Sequence, residues 1–201
     1  METQFVAHAL QEAQLVLERF AKDPEKLAAV AKGAELIAGC IRDGGRVISC
    51  GNGGSMCDAM HFAEELSGKF RQARAPLPAT AISDPAHITC VGNDFGFDQI
   101  FSKYVAAHGR RGDVLLGIST SGKSPNILKA IEAAKACGMG VVTLTGRQDS
   151  PVGARANVDI CAVGNEFSDR TQEMHIKIIH ILIEAVERTM FPDNYKVTGA
   201  R

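Results

Sequence analysis

The chain has 201 residues, 45% of them hydrophobic, and a formal net charge of -1. That length and apolar content suit one domain with its own core. The near-neutral balance, with no long basic run, leaves no electrostatic footprint for nucleic acid or an anionic membrane surface, so a small ligand is expected.

Residues 3–20 place Phe5, Leu10, Leu17 and Phe20 among Ala, Gln and Glu, a spacing that predicts an amphipathic helix. Asp23-Pro24 restarts the pattern as cap and first helical residue, and a second helix runs to about Arg42 before Gly44-Gly45. Residues 46–66, RVISCGNGGSMCDAMHFAEEL, then read as strand, glycine-rich turn and helix. The turn, Gly51-Asn52-Gly53-Gly54-Ser55, permits close approach of a ligand to main-chain N–H groups at a helix N-terminus. His61 and Glu65, four residues apart, leave one face of that helix as a candidate base or metal site. A plain βα turn with a packed His61 and a solvated Glu65 explains the stretch equally well.

Residues 72–78 form a loop into a short strand at 79–82. Ser83-Asp84-Pro85 starts a helix expected to be short because Gly92-Asn93-Asp94 follows, and turn formation is the simplest role for Asn93 and Asp94 there. An apolar-faced helix is expected near 98–107, then a compact strand, DVLLGI at 113–118, which runs into Ser119-Thr120-Ser121-Gly122-Lys123-Ser124 and a helix over 125–137. Strands at 141–144 and 158–163 precede a long helix over 168–190. Apolar residues spread around most of its circumference, so it needs burial on more than one side and, with the first two helices, predicts subunit association. Residues 192–201 read as a loose tail. Short apolar strands alternating with helices imply an α/β fold, a doubly wound parallel sheet covered on both faces.

Cys40, Cys50, Cys57, Cys90, Cys137 and Cys161 include no CxxC pair and lie mostly in or beside apolar segments, as reduced core thiols do. METQFVAHAL has no basic region before an apolar run, and no segment approaches the length of a membrane span, so a cytoplasmic protein is expected.

GISTSGKS satisfies the phosphate-loop pattern of nucleotide hydrolases. The loop is rich in hydroxyls rather than glycines, it follows a mid-chain strand, and no later strand ends in an Asp suited to Mg²⁺, all of which argue against an NTPase. Phosphate binding survives: Ser119, Thr120, Ser121 and Ser124 offer hydroxyls, and the following helix offers free N–H groups and its positive dipole end. A serine-rich N-cap is the simpler alternative. On the last helix, Gln172 and His180 lie roughly 80° apart around the axis and about 12 Å apart along it, near the limit for joining one ion. His175 competes with His180 by spacing, and a packed histidine is the plainer reading of His180 between Ile179 and Ile181.

Taken together, SCGNGGS, DAMHFAEEL, AISD, CVGNDFGF, DVLLGISTSGKS, VVTLTG and RTQEMHIKIIHILI resemble the sedoheptulose-7-phosphate isomerases, phosphosugar isomerases of the SIS-domain class, over essentially the whole globular chain. The resemblance implies a flavodoxin-like three-layer sandwich in which residues 1–43 pack an oligomer, 44–190 form the SIS domain and 191–201 a tail. It further implies a homotetramer with active sites at subunit contacts. The implied reaction makes D-glycero-D-manno-heptose 7-phosphate for ADP-heptose and lipopolysaccharide core synthesis. By the same resemblance Asn52, Gly53, Gly54 and Ser55 line the sugar, Asn93 and Asp94 hold hydroxyls, and Ser119, Thr120, Ser121 and Ser124 take the phosphate. Asp169 and Gln172 join the substrate set, His61, Glu65, Gln172 and His180 match a zinc set, and Glu65 and His180 are the acid–base pair. Met56 and Lys69 depart from the family's histidine and arginine. The alternative class is a non-catalytic SIS protein resembling the DnaA initiator-associating protein, which lacks the counterparts of Glu65 and His180.

Overall fold

Five parallel strands, β1 (Val47–Gly51), β2 (Ala79–Ala81), β3 (Val114–Ser119), β4 (Gly140–Thr145) and β5 (Val158–Cys161), form one sheet in the order β2-β1-β3-β4-β5 in the computed structural model, which describes residues 3–196. β1 and β3 pair from Val47 opposite Val114 to Gly51 opposite Ile118, so their carboxyl ends emerge level. Connections leave this pair in opposite directions, and such a switch point is where open α/β sheets leave a crevice for ligands.

Seven α-helices are present among the described residues: α1 (Thr3–Ala21), α2 (Pro24–Arg42), α3 (Gly54–Ser67), α4 (Pro85–Phe95), α5 (Ile100–His108), α6 (Pro125–Ala136) and α7 (Ser168–Met190), of which α1 packs on α2 and α7 rather than on the sheet. Successive strand residues point to opposite faces. Val114, Leu116 and Ile118 accordingly pack with Ile37, Phe62 and Ile178 beneath α2, α3 and α7, while Leu115 and Ile48 pack with Phe101 and Ile127 beneath α5 and α6. Asp23 caps α2 as expected, accepting from the Glu25 and Lys26 N–H groups at 3.0 and 3.3 Å. No helix among the described residues is long and apolar enough to cross a membrane.

Three boundaries differ from the sequence reading. α4 continues through Gly92-Asn93-Asp94 to Phe95, because a mid-helix glycine lowers propensity without removing a hydrogen bond; Gly96, at φ 96°, ends it. β5 stops at Cys161 rather than at residue 163. The tail begins as a 3₁₀ turn, Pro192–Tyr195, whose Tyr195 hydroxyl donates to Glu187 Oε2 at 2.7 Å; residues 197–201 lie outside the described residues.

Candidate active site

The turn after β1 is built by glycines with distinct tasks. Gly53 caps α3 at φ 55°, a conformation that strains any residue with a Cβ. A Cβ on Gly54 would stand 2.6 Å from Gln172 Nε2, so the α7 side chain lies directly on this backbone. Ser55 is buried in the first helical turn, its N–H bonded to the Asn52 carbonyl at 3.0 Å. Asn52 and Asn126 exchange two side-chain hydrogen bonds, at 3.0 and 2.8 Å, which tie the β1 turn to the first turn of α6 across the switch point. Asn126 escaped the sequence reading, although a buried polar residue beside Ile127, Ala130 and Ile131 was its signal.

On the β3 side, Ser119 and Ser124 hydroxyls face each other at 3.0 Å. Ser124 holds the N-cap position of α6, yet its side chain makes no capping bond; with Pro125 lacking an N–H and the Ile127 N–H donating to Asn126 Oδ1 at 3.0 Å, the Ser124 hydroxyl and the Asn126 N–H are what this end of the helix can offer a ligand. Gly146 N–H to the Thr120 carbonyl (3.1 Å) and Val152 N–H to the Gly122 carbonyl (2.9 Å) brace the loop. Thr120, Ser121 and Lys123 line one wall of a cleft of about 270 Å³, with Arg147, Asn165 and Phe167 among its other lining residues. Asp169 is exposed beside it and accepts from the Arg170 N–H at 2.8 Å. Asn93 and Asp94 sit exposed on α4, bonded to each other at 2.7 Å, and make no hydrogen bond to these groups among the described residues.

α3 and α7 run side by side in one direction, since Gln172 meets Gly54 at one end and His180 meets His61 at the other. His61 Nε2 lies 2.9 Å from His180 Nε2 and 3.6 Å from Glu65 Oε1, and its Nδ1 lies 3.4 Å from Glu64 Oε1. The structure thus joins His61, Glu65 and His180 and sets Gln172 against the sugar turn instead, about 12 Å along α7 from His180. One ligand atom each from His61, Glu64 and Glu65 lies within 4.8 Å of the others, a cluster able to hold a metal ion. Burial, and then the neighbouring His61, hold His180 below the ordinary imidazole range against the pull of Glu65, which favours a free lone pair. Facing ring nitrogens with carboxylates beside them form an N/O donor set that fits a zinc-type ion.

His175 is fully buried and bonds the Thr145 carbonyl through Nε2 at 3.1 Å; burial pushes its pKa down to about 4. It belongs to the core, apart from the cluster. Asp58, one turn before His61, went unremarked in the sequence: burial raises its carboxyl to about 6, opposed by His61.

An open parallel sheet with a hydroxyl loop at its switch point and a His/Glu cluster on the flanking helices is the plan of a phosphosugar-handling SIS protein, and the SIS-domain family model matches residues 10–146. The chain is 54% identical over 190 residues to a phosphoheptose isomerase of Enterobacter sp. (strain 638), covering 94% of this chain and 99% of that one. Against the phosphoheptose isomerase of Yersinia enterocolitica it is 56% identical over 181 residues, 90% of this chain and 94% of the other. Among solved structures, the phosphoheptose isomerase of Neisseria gonorrhoeae superposes with a TM-score of 0.85 at 37% identity, covering 92% of this chain and 98% of that one. The phosphoheptose isomerase of Francisella tularensis gives 0.86 at 36%, covering 94% and 100%. The chain belongs to the phosphoheptose isomerase family.

Proposed function

We propose that the protein interconverts sedoheptulose 7-phosphate and D-glycero-D-manno-heptose 7-phosphate through an enediolate. The observation that carries this reading is the meeting of Glu65 and His180 around His61, beside a hydroxyl loop suited to phosphate. Ser119, Thr120, Ser121 and Ser124 hold the phosphate, and Asn52 to Ser55 shape the sugar end. Glu65 takes a proton from C1, charge spreads over the two substrate oxygens, and His180, whose Nε2 faces His61, returns a proton at C2 from its other ring nitrogen while O1 gives up the proton that O2 gains. His61, Glu65 and His180 would hold zinc, joined by Gln172 once its side chain turns from the Gly54 backbone, and the ion when bound supplies a Lewis acid for those oxygens. One Glu65 oxygen is then left to accept the proton.

Asn93 and Asp94, exposed on α4, are assigned to sugar hydroxyls, and Asp169 and Gln172 to the substrate from α7. A homotetramer with sites at subunit contacts suits that placement. Its support is an apolar groove lined by Leu17, Phe20, Leu27, Val30 and Ile181, with Phe5 and Leu10 also exposed on α1. All six cysteines are unpaired thiols, in keeping with a cytoplasmic location and a place in ADP-heptose supply. The non-catalytic SIS alternative is not favoured, because Glu65 and His180 are both present and the relatives are isomerases. Incubation of the zinc-loaded protein with sedoheptulose 7-phosphate should yield the aldose; folded protein without turnover overturns the reading.

A further inference from the structure

Arg74 lies in the loop over 72–78, yet its side chain is only 1% exposed. Its guanidinium spends every nitrogen. Nη2 donates to the Glu65 carbonyl at 2.7 Å, Nη1 to the Leu66 and Gly68 carbonyls at 2.7 and 3.0 Å, and Nε to Glu187 Oε1 at 2.7 Å. The carbonyls belong to the end of α3, where a helix leaves acceptors without internal partners. Glu187, equally buried, lies on α7 seven residues beyond His180, about two turns on and on the same face. Tyr195 occupies its second oxygen at 2.7 Å, and burial beside Glu187 pushes that phenol up to about 12, so it stays a donor.

We infer that Arg74 is a positioning residue for isomerisation: by stapling the Glu65 carbonyl to α7 it fixes where the Glu65 carboxylate stands relative to His180. The inference rests on Glu65 and His180 as the acid–base pair. Stability alone does not call for such a device, since an apolar pair of similar volume often replaces a buried ion pair without loss. An apolar pair cannot link two helices through a fork of fixed geometry, and neither can lysine, whose single nitrogen reaches fewer of these acceptors at once.

The test compares Arg74→Lys, the double variant Arg74→Met with Glu187→Met, and Glu65→Gln, each as the full chain assayed with sedoheptulose 7-phosphate, with thermal unfolding recorded in parallel. Arg74→Lys is expected to lower kcat about tenfold or more, because small misplacements of reacting groups are costly, while KM stays within about threefold. The double variant removes the ion pair but also strips the Glu65 and Gly68 carbonyls and the Tyr195 hydroxyl of their partners, so it is expected to unfold below the wild-type temperature and, assayed where it is fully folded, still show the lowered kcat. Wild-type kcat in Arg74→Lys, or in a stable double variant, overturns the inference, as does a kcat that merely tracks melting temperature across the set. Should the double variant not fold, Arg74→Lys decides. Turnover retained by Glu65→Gln marks a different failure, that of the base assignment beneath it.

Discussion

The Nε2 atoms of His61 and His180 stand 2.9 Å apart, a contact two imidazoles tolerate only when a proton or a cation lies between them. With Glu65 Oε1 3.6 Å from the same His61 nitrogen, a divalent ion satisfies all three groups at once. Metal analysis is expected to find zinc, and chelation to abolish turnover until zinc is restored. Full activity in metal-free protein removes the ion from the mechanism.

Glu65→Gln keeps the size of the side chain and removes its basicity. We expect kcat to fall by about 10²–10⁴, the usual worth of a general base, with oligomeric state and phosphate affinity unchanged. Steady-state kinetics and light scattering check both halves.

Ser124→Ala separates the two roles of the loop. Because the hydroxyl bonds the buried Ser119 and caps nothing, stability should fall by about 0.5–1.5 kcal/mol, the net worth of that bond, whereas loss of a ligand contact should raise KM about tenfold. The stability loss with unchanged KM would confine Ser124 to a structural role.

Gly54→Ala places a methyl where Gln172 Nε2 now lies, 2.6 Å away. The obstacle is the far end of a flexible side chain, so the chain should fold with near wild-type melting temperature while Gln172 is displaced. Turnover is expected to drop; wild-type kinetics would show that Gln172 has no part in catalysis.

His175 gives stability a pH dependence. Its folded pKa, about 4, is lower than the 6.5 of a free imidazole, so between those values the unfolded chain binds more protons. Stability attributable to this residue is therefore full above pH ~6.5 and falls as pH drops towards ~4, by about 3 kcal/mol in all. Urea unfolding from pH 4.5 to 7 should show the slope in the wild type and a flatter profile in His175→Gln. Equal slopes would mean other groups carry it.

Strand, turn and helix were legible wherever one local pattern determined them, as in the β1 turn with His61 and Glu65 four residues on. His175 and His180 were not separable by spacing, because the choice depends on which face of α7 packs beneath β4. Arg74 and Tyr195 left no periodic trace, and Asn126 only its place on the apolar face of α6. Each matters through a partner distant in sequence or through a chain end, and such pairings exist only once the sheet order is set.

On the proposed assignment the phosphate grip belongs to β3 and α6, whereas the proton-handling groups belong to α3 and α7. Grip and chemistry are therefore inherited separately. Replacing Glu65 and His180 should therefore end turnover while the β3–α6 loop still takes the phosphate, and on that assignment a catalyst and a metabolite sensor stand two substitutions apart on the same framework.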